Sequence, residues 1–219
     1  MTKATAARPA ARRGRLGGRS QFQEEQRRQS REAILAAAAE IFAKTPYVYA
    51  TIDDIIRAAG VGRATFYVYF ESKLSLAVAI YEGVADDWLI LFDQLATLRP
   101  LDLLQLEQWI RALAQLYVDH GFVTPLVAQL EIFEESFRYR LRQDRNLLIE
   151  RLANAGVRVF AAALGDDDAA RALRVRAHLL RRRIDQVCGE TLQLEVENRA
   201  EADAYIRILA EEMRAFLQI

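Results

Sequence analysis

The 219-residue chain is 52% hydrophobic and 27% charged with only 10 Gly and 4 Pro, which excludes a disordered chain and favours helices packed into one domain or two small ones. Its formal net charge is zero at pH 7, yet residues 1–80 carry 13 Lys+Arg against 7 Asp+Glu (net +6) and residues 81–219 carry 17 against 23 (net −6), so one end is suited to a polyanion. No run approaches the ~20 apolar residues of a membrane span, the basic N-terminus lacks the apolar core of a secretory signal, and a lone Cys188 excludes an intrachain disulfide and fits a reducing cytoplasm.

Residues 1–19 hold Lys3, Arg8, Arg12, Arg13, Arg15 and Arg19 with no acid and no periodicity, which predicts a flexible basic arm. Such an arm can enter a DNA minor groove or add only nonspecific attraction. Ser20 with Gln23 forms a capping-box pattern, and a helix is expected from there to Lys44, with Pro46 ending it. Thr51 opens a second helix with Asp54 as its capping-box partner, and Gly60 ends it as a left-handed cap. A short helix follows from about Arg63 to Phe70. Ser72 can cap a longer one that reaches about Ala96.

Two short helices joined by a glycine-containing turn are a helix-turn-helix. At ~100° per residue, Phe66 and Phe70 fall on one side of the third helix, to pack on Ile41, Phe42, Ile55 and Val61. Ala64 and Val68 point away, flanked by Arg63 and Tyr67. That outward face suits a major groove. Arg63 matches guanine O6 and N7, Ala64 and Val68 can meet thymine methyls, and Thr51, Thr65, Tyr67, Tyr69 and Lys73 are donors for phosphates. The other reading of the same pattern is a helical hairpin with surface tyrosines.

Helices are expected over 101–119, 123–137, 139–164, 168–196 and 199–217, with Asp166 to Asp168 capping the fourth of these. Strand-like alternation, internal repeats, and Walker, HExxH, GxSxG or paired-Cys patterns are not found, so neither an enzyme nor a cofactor or metal is expected. His120 and His178 lack metal-ligand spacing, and Arg181 to Arg183 read as a solvated face or ion pairs. Trp88, Phe92, Trp109, Tyr117, Phe122, Phe133, Phe137 and Phe160 are candidates to line a cavity between helices, though each alone is also a plain core residue. The last two helices carry apolar stripes: Leu173, Ala177, Leu180, Ile184, Val187, Cys188, Thr191 and Leu192, then Ala202, Tyr205, Ile206, Leu209, Met213, Phe216 and Leu217.

The stretch TIDDIIRAAGVGRATFYVYFESKLSL resembles the DNA-binding signature of the tetracycline-repressor (TetR) family of bacterial regulators, through Thr51, Ile55, Ala59-Gly60-Val61, Thr65, Phe66-Tyr67, Tyr69-Phe70 and Ser72-Lys73. The resemblance implies an all-α chain with a DNA-binding domain over 20–71 and a larger effector-binding and dimerisation domain over 72–219. It implies a homodimeric repressor on a pseudo-palindromic duplex, released by a small molecule. Phosphate contacts would come from Tyr67, Tyr69 and Lys73, and base contacts from Arg63, Ala64 and Thr65. The final two helices would pair across a two-fold axis, which puts Leu180, Ile184, Val187, Tyr205, Leu209, Met213 and Phe216 forward as interface residues. Ile56, Gly62 and Val68 depart from the family's usual residues. The alternatives are a DNA-binding protein without an effector, a helical enzyme, and a helical protein-interaction module that would leave the arm and the tyrosines unexplained.

Overall fold

The computed structural model describes residues 17–98 and 101–218, with side chains described for 21–98, 101–189 and 198–218. The described residues form helices α1 (Gly17–Lys44), α2 (Ile52–Ala59), α3 (Arg63–Tyr69), α4 (Lys73–Thr97), α5 (Leu103–Asp119), α6 (Val123–Phe133), α7 (Glu135–Asn154), α8 (Arg158–Ala163), α9 (Asp168–Glu197) and α10 (Arg199–Leu217), with no strand among them.

Local chemistry sets most of the boundaries. Thr51 caps α2 by accepting from the Asp54 N–H, and the Asp54 side chain accepts from the Thr51 N–H in return. Ser72 and Ser75 exchange the same pair of bonds at the start of α4. Asp102 caps α5, Asp167 accepts from the Ala170 N–H, and Asn198 caps α10. At the end of α2, Gly60 takes φ 66° while its N–H bonds Arg57 and the Val61 N–H bonds Ile56, a glycine-dependent closing motif.

Three expected boundaries are corrected. Helical backbone is already present at Gly17, so Ser20 is inside α1 rather than its cap. The helix expected over 123–137 ends at Phe133, because Glu134 is extended at φ −120°, ψ 102°. The helix expected over 139–164 divides into α7 and α8. Gly156 at φ 87° ends α7 with the same double bond pattern as Gly60, Gly156 N–H to Ala153 and Val157 N–H to Leu152.

Two apolar cores result. In the first, Ile34 and Phe42 of α1, Ile55 of α2 and Phe66 of α3 meet Leu76 and Ile80 of α4. Leu126 and Leu130 of α6 and Phe137 of α7 join them. In the second, the far end of α4 packs with α5, α8, α9, α10 and the end of α7. Helix α4 therefore runs through both cores, with Trp88 touching each. The first core does not stop at residue 71, because α6 and the start of α7 are built into it. Arg183 pairs with Glu212 across the turn at Asn198, which folds α10 back along α9. No helix among the described residues is long and apolar enough to cross a membrane.

Candidate nucleic-acid interface

Helix α3 is too short to stand alone, so it is held from beneath. Phe66 and Phe70 are buried against Phe42 and Ile55, and the Phe66 ring meets Phe70 and Tyr67 at 5.9 and 5.4 Å between centroids. This anchoring fixes which side faces out. Arg63, Ala64, Tyr67 and Val68 are exposed, Val68 by 70%, while Thr65 and Tyr69 are half-buried beside them. The face combines a guanidinium, two small apolar groups and a phenol on one side of a helix with a solid base.

The charged groups of this surface are already oriented. The Arg63 guanidinium donates to Asp53 Oδ1 at 2.6 Å and lies 6.0 Å from the Tyr67 ring centre. Thr51, at the start of α2, is exposed, and its hydroxyl bond holds the Asp54 carboxyl below its ordinary range. Lys73 is engaged within the protein. Its ammonium donates to the carbonyl oxygens of Tyr47 and Ala50 at 2.6 and 2.8 Å and sits 4.3 Å from the Tyr47 ring centre. It is half-buried, and that burial lowers its pKa. Lys73 thus pins the turn that delivers Thr51 instead of projecting into solvent. Asp53 as a partner for Arg63 and Arg31 stacked 5.6 Å from the Phe70 ring centre both escaped the sequence reading. Neither pair has a helical spacing that would announce it. Arg12, Arg13 and Arg15 lie outside the described residues, as does the side chain of Arg19.

The aromatic candidates for a cavity separate. A cavity of about 40 Å³ lies between α4, α7, α8, α9 and α10, and only Phe92 and Phe160 of the eight line it. Trp109, Tyr117 and Phe137 are core residues. Trp109 donates to the Leu91 carbonyl at 2.7 Å, and Tyr117 donates to Asp185 at 2.6 Å. Trp88 is half-buried against the Tyr117 and His120 rings, and Phe122 is half-buried at the first core. Phe133 is corrected outright, since it is 59% exposed at the end of α6.

Of the expected dimer residues, Tyr205 is exposed and the others are drawn into the protomer's own core. Ile184, Val187, Leu209, Met213 and Phe216 are buried within one protomer, and Leu180 packs against the same core. The most apolar stripe of each helix is consumed by its own fold. Among the described side chains, the large apolar groups these helices expose are Val175 and Leu179 on α9, and the expected Tyr205 with Ile208 on α10. The side chains of Thr191 and Leu192 lie outside the described residues.

Comparison with known proteins places this geometry. Residues 34–80 match the model for bacterial regulatory proteins, tetR family. An uncharacterised HTH-type transcriptional regulator, YvdT of Bacillus subtilis, is 43% identical over 53 residues, covering 24% of this chain and 27% of the relative. An uncharacterised HTH-type transcriptional regulator from the lacX 3′ region of Lactococcus lactis is 30% identical over 126 residues, 53% of this chain and 62% of the relative. The match thus spans less than two thirds of either relative's length. For the fold, a TetR-family transcriptional regulator from Syntrophomonas wolfei superposes with a TM-score of 0.63 over 86% of this chain and 96% of its own, at 17% identity. Residues 34–80 thus form a helix-turn-helix segment that matches the tetR family of bacterial regulatory proteins.

Proposed function

We propose that the chain is a sequence-specific, DNA-binding transcriptional regulator that works in the cytoplasm as a homodimer, represses by occupying a pseudo-palindromic site, and is released by a small molecule. It acts by binding and has no catalytic step. The observation that carries this reading is the outward face of α3, where Arg63, Ala64, Tyr67 and Val68 are exposed above a buried Phe66 and Phe70. A short helix whose first residue is a preoriented arginine fits the major groove, where an arginine fork reads guanine. Thr51, Tyr67 and Tyr69 surround it as hydroxyl donors for the flanking phosphates. Lys73 serves this surface indirectly, by fixing the turn before Thr51.

Dimerisation follows from the geometry of reading two half-sites on one side of a duplex. The thin stripe of Val175, Leu179, Tyr205 and Ile208 is the surface assigned to it. The test is selection of bound duplexes from a random pool, repeated with Arg63→Ala. The variant should lose about 1–3 kcal/mol and relax preference at one base position per half-site. An unchanged selected motif removes Arg63 from base reading, and recovery of no motif by the native chain removes the regulator reading itself.

A further inference from the structure

Helix α2 opens with two acids, and they have different partners. Asp54 closes the capping box with Thr51 and accepts from Arg57 at 3.3 Å, so its carboxylate is committed to its own helix. Asp53 reaches across the glycine-containing turn and accepts from Arg63 at 2.6 Å. The pair spans ten residues and joins the first turn of α2 to the first residue of α3. Both side chains are more than half exposed, 58% for Arg63 and 59% for Asp53.

An ion pair this exposed contributes little to folding, and the docking of α3 already rests on Phe66 and Phe70 buried with Ile55. The consequence of the pair lies in what it does to the guanidinium. A long arginine side chain loses rotamer freedom when a ligand fixes it, and fixing it beforehand reduces that loss. Five N–H donors in a planar fork let one guanidinium hold a carboxylate through one nitrogen and meet guanine O6 and N7 through others. The Tyr67 ring, its centre 6.0 Å from the guanidinium carbon, is the second neighbour that limits where Arg63 points. The carboxylate also acts in the opposite direction. It places a negative charge on the face that meets a polyanion, where it repels phosphates of any sequence. Orientation helps only where a guanine is present, whereas repulsion acts on every duplex. Together they widen the gap between the right site and the rest.

We propose that Asp53 is a positioning residue for specificity: it aims the Arg63 guanidinium at a guanine and lowers affinity for every other duplex. The inference rests on the reading of the chain as a sequence-specific regulator and adds a discriminating residue to it. Asp53 acts through Arg63 and reads no base itself. A carboxylate that accepted directly from a cytosine amino group would act independently of Arg63, and the two cases separate in a double-mutant cycle.

The test measures binding of the full-length chain to three duplexes at one salt concentration. These are the selected site, the same site with adenine in place of guanine at the position that Arg63→Ala relaxes, and a random duplex. The native chain is compared with Asp53→Ala, Asp53→Asn, Arg63→Ala and the double variant of Asp53→Ala with Arg63→Ala. Asp53→Ala should bind the random duplex about twofold or more tighter, because the repulsion is gone. Its preference for guanine over adenine should fall about fivefold or more. Asp53→Asn, which keeps the size and one acceptor oxygen, should bind the random duplex as tightly as Asp53→Ala and lose less of the preference. With Arg63 already replaced, removing Asp53 should leave base preference where it was. An unchanged guanine preference in both Asp53 variants overturns the proposal. So does equal weakening by both variants on all three duplexes, which is the mark of a damaged α2. A further change of preference in the Arg63→Ala background would make Asp53 a base reader and overturns it too, as does an Arg63→Ala variant that relaxes no position. If the native chain selects a motif and the Asp53 variants match it, only this inference falls. If the native chain selects none, the regulator reading falls with it.

Discussion

Tyr47 donates its hydroxyl to Glu134 at 2.7 Å across 87 residues of sequence, tying the α1–α2 turn to the break between α6 and α7. Lys73 completes the knot by holding the Tyr47 and Ala50 carbonyls from below. Burial and the Glu134 carboxylate both raise the Tyr47 pKa, so the phenol stays a donor at all ordinary pH values. The turn that positions Thr51 is therefore fastened to the element that carries Glu131 and its bond to Arg145.

Tyr47→Phe removes this bond while keeping the ring against Phe42 and the Lys73 ammonium. Glu134 is half-buried and can regain water, so the stability loss should be small, about 1 kcal/mol. The larger change is expected in coupling: an effector should release the duplex less completely from the variant. A double-mutant cycle with Glu134→Ala checks the pairing, and fully additive losses would show that the two residues do not act together.

Gly60 supplies a second, independent test. Its φ of 66° is in the left-handed region, and a Cβ built there meets nothing within 4 Å. Gly60→Ala should therefore lose about 1–2 kcal/mol from conformational strain alone. Gly60→Asn should lose less, because asparagine tolerates that region. Chemical denaturation of the three proteins measures the order, and equal stability of Ala and Gly would mean the cap does not hold this conformation in solution.

The helix-turn-helix was legible because its devices are local. Thr51 with Asp54, Gly60, and Phe66 with Phe70 act within a few residues, and local spacing exposes them. The break at Glu134 has no glycine or proline to mark it, and it is tied to a tyrosine 87 residues away. Lys73 fits a phosphate contact by type and place, and nothing in its local spacing announces that its long chain also reaches back to the Tyr47 and Ala50 carbonyls. The expected dimer residues show a related limit of spacing. The strongest apolar stripe of α10, with Leu209 and Met213, belongs to the protomer's own core, and periodicity alone does not say which of two stripes faces a partner.

His178 gives the pH prediction. Its pKa is lowered first by burial and then by Arg145, Arg181, Arg182 and Arg174, with Glu150 the carboxylate in the α7–α9 cleft that His178 also lines. As pH falls below the unfolded value of about 6.5, the unfolded chain takes up a proton that the folded chain refuses, so stability falls until the folded pKa is passed. Urea melts of the native chain and His178→Gln at pH 7.5, 6 and 5 isolate this share from the carboxylates. The variant should lose less stability on acidification. Parallel pH profiles would place His178 in solvent in the folded protein.

The two faces of α10 separate folding from assembly. Ile208 is 54% exposed and Leu209, its neighbour, is 2% exposed. An arginine at 208 enters solvent in the monomer but an apolar seam in the proposed dimer, where an unpaired charge is costly. An arginine at 209 enters the protomer's own core, a change of several kcal/mol that the fold itself must absorb. Ile208→Arg and Leu179→Arg should therefore keep native helicity by circular dichroism, sediment as monomers and lose the selected duplex. Leu209→Arg should unfold or aggregate. If Ile208→Arg and Leu179→Arg both sediment as dimers, the partner surface is not the outer stripe of α9 and α10, and two-fold pairing must use another part of the chain.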